Sequence, residues 1–162
     1  MESGDILTTI AEIAIAIAGF SSVIVALSPK PISQWSLIER FNFRILLQVA
    51  AVTVFFSLIP LVLHRTLSFD LAWRVALIFY GVVHLADVSS FLFRFPDHMP
   101  TVPKITSIIG LSIAISQLVI GVANVTGLIE LIYLVGLLWQ LAISFMGFAL
   151  LIYHVRTDQT EG

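Results

Sequence analysis

The sequence contains few charged residues: aspartate, glutamate, lysine and arginine together make up 11% of its 162 residues. Soluble domains carry about 25% of such residues. Hydrophobic residues account for 59% of the chain, and the mean hydropathy is +1.04. A water-soluble fold of this size needs a polar surface that this composition cannot supply. The composition therefore predicts an integral membrane protein whose surface faces a lipid bilayer.

Cysteine is absent from the sequence, which excludes disulfides, thiolate metal sites and cysteine nucleophiles. The formal net charge of −2 provides no basic surface for nucleic acid. Metalloprotease, esterase, P-loop and dinucleotide-binding motifs do not occur in a suitable context, so we expect no enzyme, no cofactor and no metal site. Lysine and arginine are also missing before the first apolar run, which indicates a retained helix rather than a cleaved signal.

Five apolar segments are each long enough to cross a hydrocarbon core of about 30 Å as a helix. They cover about residues 6–27, 45–63, 71–93, 105–123 and 128–153. We therefore predict an all-α bundle of five transmembrane helices, forming a single transmembrane domain over residues 1–162. The third segment is the weakest because it contains Arg74, His84 and Asp87, and a bundle of four spans is the alternative.

The distribution of basic residues favours five spans over four. Five crossings place Arg65 and Arg74 on one side of the membrane and the other six of the eight basic residues on the opposite side. These six are Lys30, Arg40, Arg44, Arg94, Lys104 and Arg156. Because basic residues accumulate in cytoplasmic loops, this topology predicts an N-terminus outside and a C-terminus in the cytoplasm. Four crossings leave a weaker bias.

The segment between the first two spans predicts a short amphipathic helix over about residues 34–44. This helix is expected to lie at the cytoplasmic interface and to continue into the second span. Ser36 and Glu39 have the spacing of a capping box, and Trp35 suits the depth of the lipid headgroups. The connector 94–104 contains three prolines and predicts an ordered link without regular structure.

Small and polar residues recur at helical spacing in several spans, as they do where helices pack closely in lipid. The fourth span carries Ser107, Gly110, Ala114, Gln117, Gly121 and Asn124, the fifth carries Gly136, Gln140, Ser144 and Gly147, and the first carries Ala11, Ala14, Ala18, Gly19, Ser22 and Ala26. In the fourth and fifth spans this pattern predicts helix packing, with Gln117 and Gln140 meeting near the middle of the membrane. The alternative is a stripe that lines a water-filled path, for which the first span is the best candidate.

Glu12 lies inside the otherwise uncharged run 6–27, where a carboxylate is costly enough to need a reason. One explanation is an ion pair with Arg74, which begins the third span on the same side of the membrane. A second is a carboxylate that faces a pore and binds a cation or exchanges a proton. A third is a protonated side chain that bonds a neighbouring helix. Asn124 and Glu130 lie near the same outer surface.

His84 and Asp87 lie one helical turn apart in the third span, and Arg94 follows two turns later on nearly the same face. The three side chains form either a structural network or a proton- or ligand-binding site, since histidine and aspartate can pass a proton. A histidine in a membrane bundle also raises haem as a ligand. A second imidazole at matching depth is missing, because only His154 lies on the correct side and it sits at the boundary.

Two stretches, "AEIAIAIAGFSSVIVAL" in the first span and "YLVGLLWQLAISFMGFALL" in the fifth, resemble segments of short, uncharacterised bacterial inner-membrane proteins. Those proteins open with an AEI-x-x-AIAGF-type helix and close with a GLLW-type helix. The resemblance covers about a quarter of the chain. It implies a location in the bacterial inner membrane, and it implies that Glu12, Gly19 and Phe20 belong to a recurring feature of the first helix.

The sequence supports two main hypotheses of function. The first is a homo-oligomeric channel or permease for ions, protons or a small solute, with the first span near the pathway. The second is a non-catalytic accessory or assembly subunit of a larger membrane complex. The expected partners are the lipid bilayer and either further copies of the chain or other membrane subunits. A redox or lipid-modifying enzyme is disfavoured by the absence of cysteine and by histidines that do not cluster.

Overall fold

A computed structural model describes residues 3–28, 30–94 and 101–160, with the backbone alone described at 37, 38, 94, 101–103 and 154–160. Across these ranges the chain forms five α-helices and one short 3-10 turn, and no strand. The helices are α1 (Ser3–Ala26), α2 (Leu37–Leu63), α3 (Phe69–Arg94), α4 (Thr101–Ala123) and α5 (Thr126–Thr160). All five are long and apolar enough to cross a membrane. The prediction of an all-helical, multi-pass membrane protein is confirmed.

The helices differ from the predicted spans mainly at their ends. The predicted helix 34–44 begins later than expected, at Leu37, and continues without a break into the second span as predicted. Only the turn Ile32–Gln34 precedes it. At the other end of the chain α5 continues past the predicted end at 153 to Thr160, since no glycine or proline interrupts the polar tail there. The predicted connector 94–104 was expected to lack regular structure, but residues 94 and 101–104 are helical. Pro103 lies in the first turn of α4, where its missing N–H removes no helical hydrogen bond. Residues 95–100 lie outside the described residues.

The start of α2 is fixed by the predicted capping box. The carboxylate of Glu39 accepts a hydrogen bond from the backbone N–H of Ser36, and the backbone N–H of Glu39 donates to Ser36 Oγ over 3.2 Å. Lys30 Nζ lies 3.6 Å from Glu39 Oε1. Trp35 is buried, donates from Nε1 to the carbonyl of Lys30 over 3.1 Å and packs edge-on against Phe43. These contacts stabilise the first turn of the helix, whose N–H groups have no acceptor within the helix.

The turn between α4 and α5 ends one helix and starts the next within three residues. Asn124 adopts a left-handed conformation with φ of 55°, which asparagine tolerates better than most residues. The backbone N–H of Val125 donates to the carbonyl of Ile120 over 3.2 Å, the pattern of a Schellman motif. The asparagine in the left-handed conformation therefore allows a tight turn between the two helices.

The helices form two compact units, Met1–Leu58 with Gln140–Gly162, and Ile59–Trp139. In the first unit a close approach of helices occurs at Gly147, where an added Cβ would lie 3.3 Å from Leu46 Cβ. In the second unit α3 packs along α4, and an added Cβ at Gly121 would lie 2.7 Å from Ile78 Cγ1. Glycine at both positions lets helices approach closely, as is typical of packing in lipid.

Most helices expose large apolar side chains on their outer surfaces. Examples are Val62 on α2, Val82 and Phe93 on α3, Val119 on α4, and Leu138 and Phe145 on α5. A surface of this composition is stable against acyl chains and unstable against water. The outer surface of α1 also exposes large apolar side chains, including Ile15, Phe20 and Val23. It carries small and polar residues beside them, which are described below.

Candidate functional site

The buried centre of the unit Ile59–Trp139 contains a histidine and a glutamine that bond each other. His84 Nδ1 on α3 lies 3.2 Å from Gln117 Oε1 on α4. Both side chains are inaccessible from the surface, with His84 2% and Gln117 0% exposed. Because the amide oxygen can only accept, the imidazole donates its Nδ1 proton to it, and Nε2 is left as an acceptor. The bond joins two helices that lack a hydrophobic reason to associate in lipid.

Two glycines make room for this polar pair. An added Cβ at Gly136 on α5 would collide with the amide of Gln117 and would lie 2.9 Å from Tyr80 Cε1. An added Cβ at Gly110 on α4 would lie 3.6 Å from His84 Nε2 and 3.3 Å from Trp139 Nε1. The two glycines therefore lie where polar groups from α3, α4 and α5 come together: the imidazole of His84, the amide of Gln117 and the indole N–H of Trp139.

The amide nitrogen of Gln117 has no hydrogen-bond acceptor among the described residues. A buried donor in this state costs about 1–3 kcal/mol, and in a membrane interior it has no bulk water to compensate. Native structures contain few such groups, and they concentrate where a polar atom serves more than packing. Gln117 is the most polar residue of the α4 stripe, and its side chain lies over Gly136, one turn of α5 before Gln140.

A column of aromatic rings continues from His84 through the same unit. The ring of Tyr80 stacks on His84 with centroids 5.5 Å apart and planes 12° apart. Tyr133 on α5 contacts both Tyr80 and Trp73 at 5.4 Å. Trp73 in turn contacts Phe69, and Phe69 contacts His64 in the α2–α3 turn. Aromatic pairs with this geometry add to the stability that burial provides, so the column holds His84 in one orientation.

Sequence reasoning missed this column. The signal was available on α3, where Trp73, Tyr80 and His84 follow one another at spacings of seven and four and so share a face. The contact of Tyr133 with this column could not be predicted from the sequence, because the alignment of α5 against α3 depends on the turn at Asn124. The column also separates His64 from His84, so these two imidazoles do not face each other as a pair of haem ligands would.

Asp87 and Arg94 were predicted to join His84. Asp87 is half-buried on α3, one turn after His84, and its carboxylate interacts electrostatically with the imidazole. The side chain of Arg94 lies outside the described residues, so its pairing with Asp87 stays a prediction. Within the described ranges, no three histidine, aspartate or glutamate side chains come together in a way that could hold a metal ion.

Arg74 binds the end of helix α4. Its Nε donates to the carbonyl of Gly121 over 3.0 Å, and its Nη2 donates to the carbonyl of Val122 over 3.3 Å. The last carbonyls of a helix have no partner within it and carry partial negative charge. The guanidinium satisfies two of them and so ties the start of α3 to the end of α4. The predicted pairing of Arg74 with Glu12 stays a prediction.

Three further candidates occupy different environments. Asn124 is exposed in the α4–α5 turn, Glu130 is half-buried in the first turns of α5, and Gln140 is buried in the middle of α5. Asn124 has a backbone role, described above. The predicted contact of Gln140 with Gln117 stays a prediction.

Glu12 lies on the exposed surface of α1. Its face carries both large apolar residues and small or polar ones. We call the small and polar ones the outer stripe: Asp5, Thr8, Glu12, Gly19, Ser22 and Ala26. Ile15 and Val23 lie among them. The opposite face of α1 is buried and contains Leu7, Ile10, Ala11, Ala14, Ile17 and Ser21. Of the small residues predicted to line one stripe, Ala11 and Ala14 therefore serve packing within the chain, whereas Gly19, Ser22 and Ala26 face outward.

These features define an integral membrane protein with a buried polar centre and with polar residues, including Glu12, on the exposed face of α1. Comparison with protein-family models, with curated proteins and with solved structures finds no match for the chain.

Proposed function

We propose that the protein is a homo-oligomeric channel or permease for ions, protons or a small solute, in which the outer stripe of α1 lies at the contact between protomers, near the pathway. The observation that carries this proposal is the exposed position of Glu12 on a membrane-spanning helix. The outer stripe adds a carboxylate, hydroxyls and glycine to a surface of α1 that also exposes Ile15 and Val23.

The position of Glu12 is unfavourable in a monomer surrounded by lipid. It is the tenth residue of α1, so it lies about 14 Å along the helix from its start. A charged side chain near the centre of a bilayer costs about 2.5–3.5 kcal/mol on insertion scales. Water or a second protein at this surface removes that cost. A pore between protomers supplies both.

The other stripe residues suit a close contact with another helix. No atom lies within 4 Å of the position that a Cβ at Gly19 would occupy, so a neighbouring helix can approach the backbone there. Thr8 and Ser22 donate their hydroxyl protons to the carbonyls of Gly4 and Ala18 over 3.0 Å. Their oxygens keep a lone pair for a partner or a permeating species, while the hydroxyl protons are already satisfied.

A second function is favoured by the same surface. A helix of a different membrane protein could occupy the outer stripe, which would make the chain an accessory or assembly subunit. The two functions differ in what the purified chain does alone. A channel forms a discrete closed oligomer without other proteins, whereas a subunit becomes monodisperse only when its partner is present.

The experiment is a flux measurement on liposomes that contain the purified protein. We expect Glu12→Gln to change proton or cation flux while the unfolding temperature stays close to that of the wild type. Asp5→Asn is the matched control, because Asp5 is an exposed acid on the same stripe at the end of the helix, and we expect a much smaller effect. Unchanged flux together with lost stability in Glu12→Gln would instead support the ion pair with Arg74.

The size of the purified particle is the second readout. Gly19→Leu should shift the detergent-solubilised protein from the oligomer toward the monomer, because the new side chain blocks close approach of a second α1. Gly127→Leu is the control, since Gly127 also has no atom within 4 Å of its Cβ position but lies outside the outer stripe. Equal effects of the two variants would contradict the proposed contact.

A further inference from the structure

The first turns of α2 carry two arginines on one exposed face. Arg40 and Arg44 are four residues apart and both are exposed, so their side chains project from the same side of the helix. We propose that these two guanidinium groups bind the phosphate of an anionic phospholipid headgroup. This inference is independent of the proposed channel function, because it concerns a different helix and a different ligand.

No acidic side chain among the described residues pairs with these two arginines. The nearest acidic residue in sequence is Glu39, whose carboxylate accepts from the backbone N–H of Ser36 and lies 3.6 Å from Lys30 Nζ. Across the described residues, no hydrogen bond or ion pair reaches the guanidinium group of either Arg40 or Arg44. Two cations with free donors on one helix face are complementary to a phosphate, which accepts in the bidentate geometry that arginine offers.

The depth of the pair identifies a lipid as the source of that phosphate. The apolar span of α2 begins at Glu39, one residue before Arg40, and Arg44 lies about 6 Å further along the helix. An arginine at this depth extends its charged end toward the headgroups while its methylenes stay in the apolar layer. A phospholipid phosphate sits at that level, whereas a soluble anion would have to leave water to reach Arg44.

The segment in front of α2 is suited to the same interface. The capping box and the Trp35 indole, which bonds the carbonyl of Lys30, hold this segment in one conformation. It leaves Ile32 46% exposed, an apolar side chain in the turn that precedes the two arginines in sequence. Such a combination of apolar and basic groups is typical of surfaces that bind anionic membranes.

The test measures selectivity between two lipids. The protein is reconstituted in phosphatidylcholine vesicles with a trace of spin-labelled phosphatidylglycerol or spin-labelled phosphatidylcholine, and the fraction of each probe that is immobilised on the protein is recorded. We expect the wild type to prefer phosphatidylglycerol and Arg40→Gln/Arg44→Gln to lose roughly tenfold of this preference. Arg65→Gln is the matched control, because Arg65 is exposed in the turn that follows the other end of α2, and it should keep the preference.

Three results would overturn the proposal. These are an unchanged preference in the double variant, an equal loss in Arg65→Gln, and complete competition by inorganic phosphate in solution, which would indicate a site for a soluble anion. If the double variant does not fold, the single variants Arg40→Gln and Arg44→Gln decide the question, since each should lose part of the preference. Arg40→Lys/Arg44→Lys should retain more of it than either single glutamine variant, because both charges remain.

Discussion

The buried polar centre around His84 and the outer stripe of α1 use polar residues in opposite ways. At the buried centre, Gln117 bonds His84 and lies over Gly136, so its polar atoms are enclosed by the same chain. On the outer stripe, Glu12 and Gly19 face away from the chain. The first arrangement stabilises the fold of one chain, whereas the second is, in our proposal, the contact with another protomer. The role of a polar residue in a membrane helix therefore depends on whether it is buried or exposed, and residue type alone does not define it.

The largest expected effect lies at the buried centre. Gly136→Leu would force its side chain into the amide of Gln117 and the ring of Tyr80, and overpacking of this kind costs about 1–3 kcal/mol or more. We expect a large fall in the unfolding temperature in detergent. The control is Gly127→Leu on the same helix, where an added Cβ meets no atom within 4 Å. We expect its unfolding temperature to fall far less. Equal losses would show that the buried centre is not tightly packed.

The next effect concerns the end of α4. Arg74→Ala removes two hydrogen bonds from a charged donor to the carbonyls of Gly121 and Val122, which predicts a loss of about 2 kcal/mol in the free energy of unfolding. Arg74→Lys should recover part of the lost stability, because the positive charge remains but the several N–H donors of the guanidinium group are lost. Arg65→Ala is the control. If it lowers the free energy of unfolding as much as Arg74→Ala does, the loss comes from the change in net charge and not from the hydrogen bonds to the end of α4.

A smaller effect is expected for the bond between His84 and Gln117. A double-mutant cycle with His84→Phe and Gln117→Leu isolates the interaction energy, and interhelical hydrogen bonds in membrane proteins average about 0.6 kcal/mol by this method. We expect a coupling of that size, measured as the free energy of unfolding in detergent. Zero coupling would show that the two side chains are only neighbours.

The smallest effect is at the start of α2. Ser36→Ala removes the hydroxyl that accepts from the backbone N–H of Glu39, a change that costs about 0.5–2 kcal/mol at such positions. We expect the lower end of this range, because Glu39 still bonds the backbone of residue 36. Ser33→Ala, in the exposed turn before it, should have no effect on the unfolding temperature.

The sequence predicted the fold better than it predicted the site. Five helices, the capping box at Ser36 and the turn at Asn124 follow from length, periodicity and local chemistry, which act over a few residues. The contact of Gln117 with His84, and the use of Arg74 as a cap for α4, depend on how α3 and α4 align, which no local pattern encodes. The sequence also placed Ala11 and Gly19 in one stripe, although Ala11 is buried and Gly19 is exposed. Small residues occur on several sides of α1, so their spacing leaves the lipid-facing direction undefined.

The most direct test of the account uses the absence of native cysteine. Two single-cysteine variants are placed in vesicles and oxidised. Ser22→Cys lies on the outer stripe, and Val62→Cys replaces a side chain of α2 that is 64% exposed. Proximity of two α1 helices predicts disulfide-linked dimers for Ser22→Cys and monomers for Val62→Cys. Monomers for both variants, or dimers in equal yield, would contradict the claim that the outer stripe of α1 joins protomers.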